Sequence, residues 1–349
     1  MAHLQQTLLK WYAACRRDLP WRRTRDPYAI WVSEIMLQQT RVETVIPYYE
    51  RFLQRFPTAI ALAEAPPDDV LAAWSGLGYY RRARLLLDGA RTVALQGGAL
   101  PGDRAALLGV PGIGRYTAGA IASIAFGQAV GLVDGNVARV FARLFAIDED
   151  MRKAGMRAAE ALADDLVAKD DPGAWNQALM ELGATICTPR SPTCGACPLA
   201  SCCRAFAEGR VAELPILSEK KAPVARRVQA VVATREKDGA ILLARRRGEG
   251  TFAGLWEPPS IEGPAKMRAR LAAWLPIGKL RRVGVVEHVL SHRKLTVDVL
   301  RADLVGSLSK ADIPPNAGYD DVRVVREATF DDLGFSTLAR KVVAAARPK

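Results

Sequence analysis

The sequence predicts a multi-domain protein, an all-α domain followed by an α+β domain. The chain has 349 residues, and at about 150 residues per domain that length favours two cores over one. From the start to about residue 185 apolar residues recur at helical spacing, with no convincing period-two strand. Beyond residue 227 short apolar runs and alternating positions take over. Hydrophobic residues at 50% and charged residues at 25% exclude a disordered chain. Lys and Arg number 49 against 37 Asp and Glu, a net charge of +12, so the natural partner is a polyanion, either nucleic acid or an acidic membrane surface.

In chain order, MAHLQQTLLKWYAAC lacks a basic region followed by an apolar one, and Lys10 interrupts what apolarity there is. The expected location is the cytoplasm, associated with the nucleoid, with no targeting segment. YAIWVSEIMLQQT reads as a helix on which Glu34 shares a face with Ile30, Trp31 and Leu37. Burial there raises a carboxyl pKa; a solvated Glu at the edge of the stripe is the alternative. Val110-Pro111-Gly112-Ile113-Gly114-Arg115 precedes a long apolar helical stretch. Gly112 and Gly114 let a backbone phosphate approach the amides at a helix N-terminus, a helix-hairpin-helix type of anchor, or they serve a plain turn. The longest uncharged stretch, Tyr116 to Val133, carries Thr117, Ser123, Gln128 and three glycines, which makes it buried core and a poor bilayer span. Asp134 opens Asp-Gly-Asn before a helix whose Val137, Val140, Phe141, Leu144 and Phe145 form one apolar stripe. Amide donors and the helix dipole favour its ionised form, while the N-cap role fits Asp134 or Asn136.

Cys187, Cys194, Cys197 and Cys203 have the spacing C-x6-C-x2-C-x5-C, which suits a cubane cluster or a four-thiolate zinc site. Either site is closed and structural. Cys15 and Cys202 have no role in this reading. Residues 208–227, with Pro215, Pro223 and Lys220-Lys221, have the composition of an exposed linker. It separates a helical domain over 1–207 from a second domain over 228–349. In that domain VQAVVAT and ILLA read as strands, Leu295, Val297 and Val299 as a half-buried strand, and MRARLAAWL and STLARKVVAAA as helices.

Glu34 and Asp134 together supply one acid kept protonated and one kept ionised, which cleavage of a glycosidic bond needs. LPWR from Leu19, WVSEIMLQQTRVETVIPYY from Trp31, GLGYY from Gly76, VPGIGRYTAGAI from Val110, VDGNVARV from Val133, WNQALMELG from Trp175 and the four-cysteine loop resemble the MutY-type adenine DNA glycosylases of the endonuclease III-like helix-hairpin-helix superfamily. The match covers both domains. It implies an all-α helix-hairpin-helix glycosylase domain with an iron-sulfur loop over 187–203, followed by an α+β Nudix-like domain. The implied activity is removal of adenine mispaired with 8-oxoguanine or guanine, by a monomer carrying a 4Fe-4S cluster on the four cysteines.

Residue by residue, the resemblance implies Glu34 as the acid that protonates adenine at N7 and Asp134 as the carboxylate that stabilises or traps the oxocarbenium. Tyr116 and Asn136 match positions around that centre. Gln177, Trp21 and Arg22 match readers of the flipped base, Gln39 and Tyr79 match wedges that enter the base stack, and Thr40 matches a DNA contact. Endonuclease III relatives carry a Schiff-base lysine after the Gly-Arg pair; Tyr116 stands there, which implies a monofunctional enzyme. Leu290-Ser291-His292 resembles the Phe-Ser-His loop that reads 8-oxoguanine, with Leu290 replacing the aromatic. GLWEPP from Gly254 resembles the Nudix-related domain, yet EGPAKMRARLAAWL lacks the paired glutamates of Nudix hydrolases, so pyrophosphohydrolysis is not expected. His288 and His292 form a poor metal-ligand set and read as ordinary polar contacts.

Overall fold

Among the described residues, every regular element before Val224 is helical. The fold comes from a computed structural model that describes residues 2–219, 222–248 and 250–347. Lys220 and Lys221 of the expected linker lie outside the described residues. The chain divides into two compact units, one formed by residues 1–63 and 88–220, the other by 64–87 and 221–349.

The helices are α1 (Ala2–Cys15), α2 (Pro27–Leu37), α3 (Val42–Arg55), α4 (Ala59–Glu64), α5 (Pro67–Ala73), α6 (Arg81–Leu95), α7 (Arg104–Leu107), α8 (Arg115–Ile124), α9 (Gly135–Leu144), α10 (Ala154–Leu166), α11 (Pro172–Thr185) and α12 (Arg204–Ala207). Local sequence sets their starts. Asp26 caps α2 by accepting from Tyr28 N, and Asp171 caps α11 by accepting from Ala174 N, each with a proline at the next position. The stripe on α9 forms as its spacing predicts: Val137, Val140, Phe141 and Leu144 are buried, and they pack with Trp175, Leu179 and Leu182 of α11. Burying each such side chain contributes roughly 1.5–3 kcal/mol. Helix α2 differs from the expected one-faced helix. Ile30, Trp31, Val32, Ile35 and Met36 are all buried, and so are Ser33 and Glu34, so the helix runs through the interior with no solvated edge for Glu34 to occupy.

The second unit holds a sheet of seven strands among the described residues, in the order β3-β2-β1-β6-β5, with β4 added to β1 and β7 to β2. They are β1 (Val224–Thr234), β2 (Ile241–Arg246), β3 (Trp256–Glu257), β4 (Ser260–Glu262), β5 (Arg281–Val289), β6 (Arg293–Asp303) and β7 (Tyr319–Val325). Strands β1 and β6 pair in parallel from Val224 with Arg293 to Thr234 with Asp303. That pairing starts the strand at Val224, inside the stretch read as linker up to 227. The expected half-buried strand at Leu295, Val297 and Val299 is buried on both faces: these three join the apolar core on one side of the sheet, and Leu300 and Ala302 join a second core with Leu271 and Leu275 on the other. The helix expected over MRARLAAWL is only α13 (Arg268–Ala272); Leu275 precedes Pro276, which disfavours helical backbone. STLARKVVAAA forms α14 (Thr337–Ala345), and its Leu338, Val342 and Val343 cover one face of the sheet.

Candidate active site

In the first unit, Trp21 and Arg22, the C-terminal half of α2, Tyr116 of α8, the residues capping α9 and one face of α11 surround a cavity of about 540 Å³. Trp21, Arg22, Glu34, Gln39, Thr40, Tyr116, Asp134, Asn136 and Gln177 all line it, so residues spread over 157 positions of sequence, from Trp21 to Gln177, meet around one cavity.

Glu34 is 4% exposed. Burial pushes its carboxyl up to about 7, against the hydrogen bond from Tyr116, with Asp134 raising it further and Arg22 lowering it. Tyr116 Oη donates to Glu34 Oε2 at 2.5 Å and also reaches Met180 Sδ at 3.3 Å. Burial and the two carboxyls raise the Tyr116 phenol, so it stays a donor.

Asp134 settles the capping alternative. Its Oδ1 accepts from Asn136 N at 2.9 Å and Val137 N at 2.7 Å, and its Oδ2 from Asn136 Nδ2 at 3.0 Å. These bonds and the Arg139 charge favour the carboxylate, yet burial outweighs them and the pKa lies above the ordinary aspartate value. The donors are local in sequence, whereas the desolvation that outweighs them comes from packing by distant segments. Behind Asp134, Arg139 donates to Asn136 Oδ1 (2.9 Å), Gly183 O (2.7 Å) and Cys187 O (2.7 Å).

Gln177 accepts from Tyr12 Oη at 3.3 Å. Trp21 is buried edge-on to Tyr49, with centroids 5.5 Å apart. Gln39 is exposed and has a φ of 57°. In the second unit Tyr79 is 48% exposed with a φ of 48°. Left-handed backbone at residues other than glycine costs of order 1 kcal/mol or more and collects at functional positions. Gly112 requires glycine at its φ of 83°, whereas a Cβ on Gly114, the N-cap of α8, would meet open space. In the second unit Leu290 packs against the core, and Ser291 and His292 are exposed at the tip of the β5–β6 hairpin.

The four cysteines are free thiols that line one cavity with Arg143, Ile186 and Phe206. Arg143 Nη1 lies 3.3 Å from Cys187 Sγ. Among the described residues no three His, Cys, Asp or Glu donors are close enough to hold one ion.

Sequence reasoning missed Met180 and Glu181. With Gln177 and Ala184 they follow i, i+3, i+4, i+7 along α11, and all four line the cavity; that stripe was the available signal.

Residues 32–164 match the HhH-GPD superfamily of base excision DNA repair proteins, and residues 230–345 match the NUDIX domain. Fold and site thus define a base-excision DNA glycosylase with a Nudix-type domain behind it. The human adenine DNA glycosylase is 40% identical, over 96% of this chain and 72% of its own length, and that of Rattus norvegicus is 39% identical over 97% and 77%. The chain belongs to the adenine DNA glycosylase family. A solved structure of a thermostable thymine-DNA glycosylase is similar at a TM-score of 0.55 and 32% identity, over 59% of this chain and 95% of that one. No helix among the described residues is long and apolar enough to cross a membrane.

Proposed function

We propose that this enzyme removes adenine paired with 8-oxoguanine or guanine in duplex DNA, acting as a monomer and leaving an intact strand with an abasic site. The observation that carries the reading is the buried Glu34 carboxyl, held by Tyr116 and lining the same pocket as Asp134. Burial keeps the proton on Glu34 near neutrality, so it can pass to N7 of an adenine turned out of the duplex. The C1′–N9 bond then breaks with its electron pair on the base. Asp134, oriented by Asn136 and two backbone amides, places a carboxylate beside the oxocarbenium or bonds to C1′, and water completes the hydrolysis. Gln177, Trp21 and Arg22 read the base edge. Gln39 and Tyr79 enter the stack, Thr40 contacts the DNA, and the amides after Gly112 and Gly114 hold a phosphate. Ser291 and His292 meet the oxidised guanine, and Leu290, turned into the core, leaves that contact without an aromatic.

Cys187, Cys194, Cys197 and Cys203 would hold a 4Fe-4S cluster, which ties the 187–203 loop together and takes no part in the bond cleavage. Four thiols around one cavity support a shared metal centre, and the family resemblance favours the cluster over a single zinc ion. Phenol chemistry supports the monofunctional reading, since Tyr116 offers no amine for a Schiff base.

The test compares wild type with Glu34→Gln on a duplex carrying adenine opposite 8-oxoguanine. The variant should bind the duplex within a fewfold of wild type and release adenine at least ~100-fold more slowly. Release at the wild-type rate would remove Glu34 from the acid role.

A further inference from the structure

We propose that Glu181 is a positioning residue for base excision: its buried carboxylate fixes the Arg17 and Arg22 guanidiniums on the pocket wall and balances the positive charge that Glu34 faces. The inference rests on the reading of Glu34 as the acid.

Glu181 lies on α11, one turn beyond Gln177, and is 1% exposed. Its Oε1 accepts from Arg17 N at 3.1 Å and Arg17 Nε at 2.8 Å; its Oε2 accepts from Arg17 Nη2 at 2.7 Å and Arg22 Nη2 at 2.8 Å. Arg22 is held a second time, by its Nη1 donating to Arg17 O at 3.1 Å, and its guanidinium carbon sits 5.5 Å from the centroid of the Tyr12 ring, whose hydroxyl holds Gln177. Arg22 and Gln177, two of the three candidate readers of the base edge, therefore hang from one turn of α11. Stability alone does not account for a carboxylate here, because a buried ion cluster is often no more stable than an apolar replacement. Fixing a fork-shaped donor at a binding wall does account for it.

The same carboxylate has an electrostatic consequence. Arg17 and Arg22 against Glu181 leave one surplus positive charge on that wall. The other ionisable groups lining the pocket with Glu34 are Tyr116 from α8 and Asp134 at the start of α9, and neither changes when Glu181 is replaced. A neutral side chain at 181 leaves two positive charges, which stabilise the Glu34 carboxylate and draw its proton off at lower pH. Loss of Arg17 does the opposite.

The experiment is the pH profile of single-turnover adenine release by the full chain, with wild type, Glu181→Gln and Arg17→Met. The inference expects the alkaline limb of Glu181→Gln to lie roughly half to one pH unit below wild type and that of Arg17→Met to lie above it. The Glu181→Gln deficit then widens several-fold from about pH 6 to about pH 8.5. Arg17→Met supplies the reading if Glu181→Gln does not fold. Limbs that stay at the wild-type position in both variants, with rates lowered uniformly, overturn the inference and leave Glu34 as the acid. A wild-type profile with no alkaline limb, together with full activity of Glu34→Gln, overturns the Glu34 reading and this inference with it.

Discussion

Tyr116 Oη donates to Glu34 Oε2 at 2.5 Å inside the pocket that Asp134 also lines. A donor at that place stabilises the carboxylate Glu34 becomes once its proton has left, and such charge-assisted bonds contribute about 1.5–3 kcal/mol. Tyr116→Phe should therefore slow single-turnover adenine release about tenfold or more. It should also move the alkaline limb upward, because the bond lowers the Glu34 pKa. An unchanged rate and limb would show that the contact has no part in proton transfer.

The two carboxyls set a bell-shaped profile. Glu34 acts protonated, so release falls as pH rises through about 7. Asp134 acts ionised, and burial raises its pKa, so the acidic limb should lie above the ordinary aspartate range. Because the Asp134 charge raises Glu34, the limbs belong to the pair. Release that stays constant well above pH ~8 would contradict the assignment.

Two glycines should respond in opposite ways. A Cβ on Gly183 would lie 2.6 Å from Asn136 Cβ, so Gly183→Ala should destabilise the protein by about 1–3 kcal/mol and slow release by displacing Asn136 from Asp134. A Cβ on Gly114 meets nothing in the free protein. Gly114→Ala should leave the denaturation midpoint unchanged and weaken duplex binding several-fold, since the added carbon stands where a phosphate approaches. Unchanged binding would remove Gly114 from the DNA contact.

The cysteine loop is tested by metal content. Cys197→Ser should lower bound iron and cluster absorbance, and an unchanged iron content would show that Cys197 is no ligand. Arg139→Met should cost about 2–4 kcal/mol on denaturation, because it strips a donor from the Cys187 and Gly183 carbonyls. A loss below ~1 kcal/mol would mean that neighbours repack around those carbonyls.

Helical periodicity exposed the α9 stripe, and turn chemistry exposed the cap at Asp134, because both signals are local in sequence. Glu34 was legible as a carboxyl on an apolar face; that α2 is buried all round depends on neighbours far along the chain. Gln39 and Tyr79 came through family resemblance alone, and no residue pattern announces their left-handed backbone. Glu181 was not legible as a clamp because its two partners precede it by 164 and 159 residues. The grouping of residues 64–87 with the second unit was hidden for the same reason.

The most direct test of adenine excision is single-turnover incubation with a labelled duplex carrying adenine opposite 8-oxoguanine, split into alkali-treated and untreated halves, with a thymine mismatch and a matched duplex alongside. The account predicts cleavage only after alkali and only on the adenine strand opposite 8-oxoguanine or guanine. Strand scission without alkali, or release of thymine in place of adenine, would contradict it.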